Sequence, residues 1–364
     1  MSDQLQAVHK DACPACGAQA VWTPGKQALV CPYCGTEAPG ELNADTGAIQ
    51  EIDLVTTLRE MPEELRGWKA DKKTVKCRNC HAVSVFDAQN VGQNCDFCGS
   101  PELVDYDEIK SPIRPQSVLP FKIDETRVRE LIRRWYAGKW LAPNAFKKRA
   151  LVDTIHGVYL PYWTFDAKVE ADWTAQSGTY YYTTETYRDA NGNVQTRQVR
   201  HVRWRPAAGH VSHFFDDEPI PGTQGVHPDL LAQVQPFPTN DLVPYDTAYL
   251  SGFVVEHYQV VLIDAAQQGR LAMNAKLERI CAAQIPGDTY RDLRVSPHYS
   301  GQTFKHILVP VWLLSYTYGP KAFQVVVNGH TGEIAGEYPI SYWKVFLLIV
   351  LGLLIVAVVF FLRE

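Results

Sequence analysis

Several short motifs that mark common enzymes are absent from this sequence. It contains no G-x-x-x-x-G-K-[ST] phosphate-binding loop, no G-x-S-x-G nucleophile turn and no H-E-x-x-H metal motif. The stretch TPGKQA, residues 23–28, has only an isolated Gly-Lys pair. Because nothing here is built to hold nucleotide phosphates or to activate a nucleophile, we do not expect an enzyme.

A strong net charge is also absent, since the formal charge is −5 at pH 7. Residues 1–110 are acidic, with ten Lys and Arg against seventeen Asp and Glu. Nucleic-acid binding draws affinity from basic side chains that displace counterions, so this region is poorly suited to it. The counter-evidence is a local basic cluster: Lys69, Lys72, Lys73, Lys76 and Arg78. Near a bilayer, this cluster would also suit anionic lipid headgroups.

Cysteine is scarce beyond residue 98, because eight of the nine cysteines form four C-x-x-C pairs before that point. A C-x-x-C turn followed by glycine lets two thiolates converge on one tetrahedral ion. Two such turns supply all four ligands, which predicts two structural Zn²⁺ sites with no open position for a substrate. The first set is Cys13, Cys16, Cys31 and Cys34, and the second is Cys77, Cys80, Cys95 and Cys98.

The two cysteine sets resemble copies of one unit, because each cysteine of the first has its counterpart 64 residues later. A unit of about 25 residues cannot bury a sufficient core, so the ion must supply most of its folding free energy. A redox pair or a rubredoxin-like iron centre is the alternative, but no βαβ setting for a redox pair is visible. His81 is surplus to a four-cysteine site, and Cys281 is expected to be a buried thiol. We expect Tyr33 and Phe97, at matching positions, to cover the small cores rather than to stack on bases.

Changes in composition divide the chain into six segments. We predict zinc ribbons over 11–36 and 75–100, linkers over 37–74 and 101–117, an α+β domain with an antiparallel sheet over 118–340, and a transmembrane helix over 344–362. Asp124 is the expected N-cap of the first helix of the α+β domain. Similar stretches at Pro161/Trp163 and Pro310/Trp312 leave open whether this domain is two related halves or the similarity is due to chance.

Charged residues are absent from 345–362, a stretch long enough at about 1.5 Å per residue to cross a bilayer. Tyr338, Tyr342 and Trp343 precede it, where interfacial aromatic residues lie. The N-terminus lacks the basic and apolar regions of a secretory signal. These features predict a single-pass protein of the cell inner membrane, with the bulk of the chain in the reducing cytoplasm, where thiols stay available for metal.

A hairpin over 179–204 is predicted from Asn191-Gly192, which is a strong signal for a tight turn between two strands. Its Tyr and Trp residues alternate with Thr, Arg and Gln. This pattern suits either a ribbon that binds a partner or a hairpin folded back on its own sheet.

The stretch HVSHFFDDE brings four potential metal ligands together: His210, His213, Asp216 and Asp217. We interpret it as a surface turn with ordinary polar residues. A metal-dependent enzyme at His210 and Asp216 is the less favoured alternative, and it would need a third metal equivalent per chain.

The chain resembles a group of bacterial membrane-anchored zinc-ribbon proteins over essentially its whole length, through LPYWTFDA, YYTTETY, GHVSHFFDD, TFKHILVPVW and VVNGHTGEI. Members are called transcription factor IIB-type zinc-ribbon proteins or primosomal protein N-prime-like helicases. Helicase activity is not carried over, because this chain has no nucleotide loop. Some relatives occur with phage-shock protein A-type and band-7 type membrane-stress proteins, which implies recruitment of a protein partner to the membrane.

These observations together predict a tail-anchored scaffold or adaptor that binds a protein partner at the cytoplasmic face of the bilayer in a membrane-stress response. The alternative is a nucleic-acid-binding accessory protein of replication or transcription without helicase activity of its own. A steep salt dependence of DNA or RNA binding would favour the second.

Overall fold

The computed structural model describes residues 13–38 (except 14 and 19), 49–60, 72–78, 83–87, 103–105, 113–143, 155–188, 194–318 and 321–361. In chain order the strands are β1 (Val21–Thr23), β2 (Ala28–Val30), β3 (Glu37–Ala38), β4 (Ile52–Asp53), β5 (Lys72–Cys77), β6 (Val83–Asp87), β7 (Leu103–Asp105), β8 (Ser117–Val118), β9 (Ile155–Arg188), β10 (Val194–Pro221), β11 (Val243–Pro244), β12 (Val254–Val255), β13 (Thr289–Tyr318), β14 (Lys321–Asn328) and β15 (Ile334–Gly336). The helices are α1 (Leu54–Glu60), α2 (Glu125–Ala137), α3 (Pro228–Val234), α4 (Leu262–Gln284) and α5 (Tyr342–Phe361), with 3₁₀ turns at Thr239–Asp241 and Thr247–Leu250.

The main sheet is curled and is built on three long antiparallel strands, in the order β10-β9-β13-β14-β15. β9 pairs with β10 as far as Arg188 opposite Val194, but it pairs with β13 only as far as Gly178 opposite Thr289. The β9–β10 hairpin therefore continues beyond Gly178 as a two-stranded ribbon. Aromatic and β-branched residues favour these strands.

The core lies on both faces of this sheet, and successive β9 side chains point to opposite faces. α2 and α4 cover one face, where they pack near Tyr159 and Phe165 respectively. α3 covers the other face, near Leu160 and Tyr162. Residues 155–167 of β9 are therefore almost continuously buried, as expected for a strand that is covered on both sides.

Two parts of the sheet repeat one backbone pattern. β8 runs parallel to β13 with Ser117 opposite Ile307, and β12 runs parallel to β9 with Val254 opposite Val158. Each short strand then leads into a helix, α2 or α4, that packs on the same face. The equivalent hydrogen bonds are Gly222 N–H to Pro161 O and Gly329 N–H to Pro310 O, both 2.8 Å, and Trp163 Nε1–H to Val260 O and Trp312 Nε1–H to Ile123 O, both 2.9 Å.

Asp124 is the N-cap of α2, as predicted, because its Oδ1 accepts the Arg127 N–H at 2.8 Å. The predicted α+β fold class is wrong, however, since the described chain is mostly β-strand. Sequence runs that suggested separate short strands join into β9, β10 and β13, which are 34, 28 and 30 residues long. The helices only cover this sheet.

The predicted transmembrane helix at 344–362 is also wrong, and so is the inner-membrane location with a cytoplasmic bulk that followed from it. None of the helices in the described ranges is long and apolar enough to cross a membrane. α5, Tyr342–Phe361, occupies this part of the chain.

Candidate metal centre and exposed arm

The first cysteine set forms two equivalent turns on the small sheet β1-β2-β3. The glycine after the second cysteine of each turn has a positive φ, 71° at Gly17 and 72° at Gly35, in the left-handed region that glycine adopts without strain. Each glycine N–H donates to the carbonyl of the first cysteine, to Cys13 at 2.8 Å and to Cys31 at 2.9 Å. The two turns thus present their sulfur atoms in the same way.

The four sulfur atoms of this set converge on one point, as predicted. All lie within 4.8 Å of one another, and Sγ of Cys13 and Cys34, like Sγ of Cys16 and Cys31, are 3.5 Å apart. A tetrahedral ion with metal–sulfur bonds of about 2.3 Å requires sulfur atoms about 3.8 Å apart. These four cysteines could therefore hold a metal ion.

Hydrogen bonding shifts the pKa values of two ligands in opposite directions, and contacts with the Cys34 and Cys31 sulfur atoms raise that of Cys16 to about 12. The Thr36 hydroxyl lies 3.1 Å from Cys34 Sγ, and hydrogen bonds from the side chain and the N–H of Thr36 lower the pKa of this thiol to about 6. The thiolate is the form that binds metal. Tyr33, at the tip of the same turn, is 83% exposed, so the expectation that its ring covers a small core is wrong.

The first ribbon packs directly on the main body. The Trp22 ring meets Tyr249 edge-on with centroids 4.6 Å apart, and the backbone N–H of Trp22 donates to Ser251 O at 3.0 Å. The Ser251 hydroxyl donates back to Ala20 O at 2.8 Å. Trp22 and Leu29 belong to the same buried cluster as α2, so the cysteine turns lie on an element that completes the core.

Only one cysteine of the second set lies in the described residues. Cys77 is fully buried at the end of β5 and packs with Leu119 and Val158 of the body. Cys80, Cys95 and Cys98 lie outside the described residues, as do His81 and Phe97. The four-cysteine site predicted there stays a prediction.

The stretch around His210 lies in β10 and not in a surface turn. His210 Nδ1 is 2.9 Å from Asp172 Oδ1 and its Nε2 is 2.9 Å from Glu170 Oε2, and these carboxylates raise the pKa of the imidazole. Asp216 lies six residues further along, in the bulge between Phe215 and Glu218. At about 3.3 Å per residue the two side chains start about 20 Å apart, so they do not form a joint metal site.

A buried charge network lies beside that bulge and was not expected from the sequence. Lys305 is 7% exposed, and its Nζ lies 2.7 Å from Asp217 Oδ1 and 3.4 Å from Glu51 Oε1. The Asp217 N–H donates to Asp166 Oδ1 at 2.6 Å, and Thr303 Oγ1 lies 3.0 Å from Asp166 Oδ2. Burial raises the pKa of Asp166. One lysine therefore provides the positive charge beside a group of carboxylates, and two of these, Asp166 and Asp217, are largely removed from water.

Asp217 reaches Lys305 because of its backbone conformation. Its φ is 51°, which non-glycine residues rarely adopt, and it lies at the register shift between β9 and β10. The extra residues of such a bulge re-aim side chains. The bulge turns this carboxylate toward the lysine on β13.

A second buried polar group lies where the repeated backbone pattern has leucine. Glu256 N–H donates to Tyr159 O at 3.0 Å, as Leu119 N–H donates to Leu308 O at 2.9 Å. Glu256 is 2% exposed, and burial raises its pKa to about 8, although hydrogen bonds from Thr223 and Gln259 act to lower it. The equivalent leucine shows that the backbone pattern does not need a carboxyl group here.

Two buried imidazoles lie in the same region. Burial lowers the pKa of His257 to about 4 and that of His306 to about 3. His306 Nδ1 lies 2.8 Å from Ile113 O, so this nitrogen carries the hydrogen and Nε2 is the bare acceptor. No hydrogen-bond partner for His306 Nε2 occurs among the residues that the structure covers.

These groups predict a stability maximum near pH 6.5. Glu256 has a folded-state pKa above its ordinary value of 4.5, so its contribution is complete below pH 4.5 and is lost as the pH rises through about 8. The histidines have folded-state pKa values below 6.5, so their contribution is complete above 6.5 and is lost as the pH falls toward 4 and 3. The free energy of unfolding should fall by about 1 kcal/mol between pH 6.5 and 8, because the two histidines still gain part of what Glu256 loses over this range.

Urea unfolding at pH 5.5, 6.5 and 8 checks this expectation. Glu256→Gln should remove the loss above pH 6.5, because the amide does not ionise. Glu256→Leu restores the residue type of the equivalent position and should do the same. An unchanged slope in both variants would show that another group causes the loss.

The most exposed element of the main sheet is the arm, which we define as residues 179–188 of β9 and 194–203 of β10. The Tyr180 N–H donates to Asp288 Oδ2 at 2.7 Å, which anchors its base. Beyond that point, Tyr181, Tyr182 and Tyr187 are 41%, 61% and 45% exposed. The arm therefore projects past β13 and is not folded back on the body.

The arm is basic and its arginines lie over its own aromatic rings. It contains one carboxylate, Glu185, and four arginines: Arg188, Arg197, Arg200 and Arg203. Three of these guanidinium groups lie over tyrosine rings, at 4.4 Å for Arg200 and Tyr180, 5.4 Å for Arg203 and Tyr181, and 5.5 Å for Arg197 and Tyr187. Such contacts hold long side chains in place.

Comparison with known proteins finds a distant relative but no assigned function. No family model matches the chain, and no solved structure matches it. The chain is 23% identical over 240 residues to the uncharacterized protein YdjG of Bacillus subtilis (strain 168), a match that covers 66% of this chain and 68% of that protein.

Proposed function

We propose that this chain is a protein-binding scaffold whose sheet body presents the arm to a protein partner. The observation that carries the proposal is the extension of β9 and β10 beyond β13, with large side chains exposed on both faces. These exposed side chains add nothing to the buried core of the fold. Exposed apolar side chains that lie together mark a surface that binds another molecule. No catalytic role is proposed.

The metal sites fit this proposal as structural elements. We propose that the first cysteine set holds Zn²⁺, because four convergent thiolates are a preferred zinc ligand set. We also propose a second Zn²⁺ on Cys77, Cys80, Cys95 and Cys98, from their identical spacing. Each ion would fix a short segment to the body and leave no open coordination position.

Membership in the bacterial zinc-ribbon group rests on the five matching sequence stretches alone. It makes phage-shock type and band-7 type proteins the first partners to test. The second candidate function is nucleic-acid binding, which the excess of arginine on the arm favours.

Site-specific photocrosslinking in cells tests the proposal. A benzoylphenylalanine at Tyr182, on the arm, should trap one discrete protein, and the same group at Tyr33, which is 83% exposed on the cysteine turn, should not. Binding of the trapped protein, once purified, should be lost when the arm is replaced by a short turn. Crosslinks to nucleic acid at 182 would support the second candidate, and trapping only at 33 would contradict the arm as docking surface.

A further inference from the structure

We propose that the outer edge of β10 in the arm binds an extended acidic peptide segment, which adds to the sheet as a further strand. The inference rests on the proposed function, because it names the chemistry of the partner that the arm would take. Three features carry it: an open strand edge, exposed arginines of which only Arg197 has an acidic partner in the described residues, and three tyrosine rings that each carry an arginine.

The edge of β10 is open. β10 ends the main sheet, and in the described chain no strand pairs with its outer side. The equivalent strand of the repeated backbone pattern, β14, is covered by β15, with Val326 opposite Ala335. An uncovered strand edge presents a row of backbone N–H and C=O groups that can pair with an extended chain.

The arginines along this edge are available for carboxylates. Arg197 pairs with Glu185 at 3.1 Å. Arg200 and Arg203 of the arm, and Arg205 next to its base, are exposed and form no ion pair with any carboxylate in the described residues. A guanidinium group binds a carboxylate through two parallel hydrogen bonds, so an acidic segment complements this edge in charge and in geometry.

The aromatic rings favour a peptide over a nucleic acid. Single-stranded nucleic acids bind by stacking bases on open ring faces. Here Arg200 covers a face of Tyr180, Arg203 covers a face of Tyr181, and the Trp204 ring lies 4.2 Å from the Arg291 guanidinium. These rings thus hold guanidinium groups in position along the edge. Carboxylates of an acidic strand can bind to these groups, whereas stacking of bases would need the ring faces that the groups cover.

The alternation of a strand predicts the pattern of the bound segment. Arg197, Arg203 and Arg205 share one face of the ribbon, and Arg200 lies on the other, because side chains two residues apart point the same way. In an added strand, every second side chain would lie on the face that carries Arg197, Arg203 and Arg205. The segment should therefore carry Glu or Asp at alternate positions.

A fluorescent decapeptide of alternating Thr and Glu is the probe. We expect it to bind the full chain, with affinity lowered about tenfold by Arg203→Glu, because reversal turns a cross-strand attraction into repulsion. Arg133→Glu, an exposed α2 position with the same change in net charge, is the matched control and should have no effect. Methylation of alternate backbone nitrogens of the peptide should also weaken binding about tenfold, because it removes the hydrogen bonds of strand addition.

Three results would overturn the inference. Equal binding of the methylated peptide would mean that charge alone attracts the probe, without strand pairing. Tighter binding of a single-stranded DNA decamer than of the peptide would mean that the partner is a nucleic acid. If no peptide binds while Tyr182 still traps a protein in cells, the partner chemistry is wrong and the scaffold role stands.

Discussion

Replacing Cys31 by Ser is expected to remove one tightly held metal ion per chain and to release the first ribbon from the body. Cys31 is 1% exposed and lies 3.5 Å from Cys16 across the four-sulfur cluster. Structural zinc sites in small domains contribute about 10–16 kcal/mol of apparent binding free energy at pH 7. A site with three thiolates and a hydroxyl should lose its ion to a chelator that the intact site resists.

Loss of the ion should perturb the hydrophobic core, because side chains of the ribbon and of the body form one buried cluster. Trp22 packs on Tyr249, and Leu29 is 1% exposed. When β1–β3 unfold, Trp22 becomes exposed and its fluorescence should shift to the red. Limited proteolysis should then cut within 13–38 in the variant and spare this segment in the original protein.

Metal analysis after dialysis against a chelator measures the first effect. Cys281→Ala is the control, because Cys281 is buried in α4 and is not part of the cluster. It should retain the full metal content. An unchanged metal content in Cys31→Ser would show that the ion is held elsewhere or that this cluster binds none.

The cysteine cluster was predictable because its determinants are local. The spacing of Cys13, Cys16, Cys31 and Cys34 and the two glycines that follow the pairs define the turns without help from the rest of the chain. The N-cap at Asp124 was predictable for the same reason. Nothing in the sequence indicated that Trp22 would pack on Tyr249, because that contact joins positions more than 200 residues apart.

The long strands were not predictable from local pattern. Proline normally interrupts a strand, yet Pro161 and Pro310 lie within β9 and β13, opposite Leu308 and Tyr159. Their carbonyls accept the N–H groups of Gly222 and Gly329, which belong to other segments. The tertiary structure therefore supplies hydrogen-bond partners to strands that the prolines, judged from the sequence alone, suggest are interrupted. The stretches around these prolines are also where two parts of the sheet repeat the same hydrogen bonds.

Lys305→Met is expected to destabilise the protein by about 3–5 kcal/mol at pH 7, because it leaves buried carboxylates without their cation. Asp166 is 2% exposed, and the Asp217 side chain is 12% exposed. No sequence signal marks this network, since Lys305 and Asp217 are brought together only by the bulge in β10 and the pairing of β9 with β13. Urea unfolding provides the measurement.

The pH dependence of this variant distinguishes lost charge from lost packing. Without Lys305 the folded-state pKa of Asp166 should rise further, because the lysine charge that acts to lower it is gone, so the stability of the variant is lost as pH rises and partly regained as pH falls toward 4. Asp217→Asn in the Lys305→Met background should recover part of the loss, because it removes one of the two carboxylates.

Lys168→Met is the matched control: Lys168 is 62% exposed and pairs with Glu170 at 3.4 Å, so its loss should cost at most about 1 kcal/mol. Equal costs for the two lysines, at every pH, would mean that water reaches the network and that Lys305 does not hold β13 to the bulge.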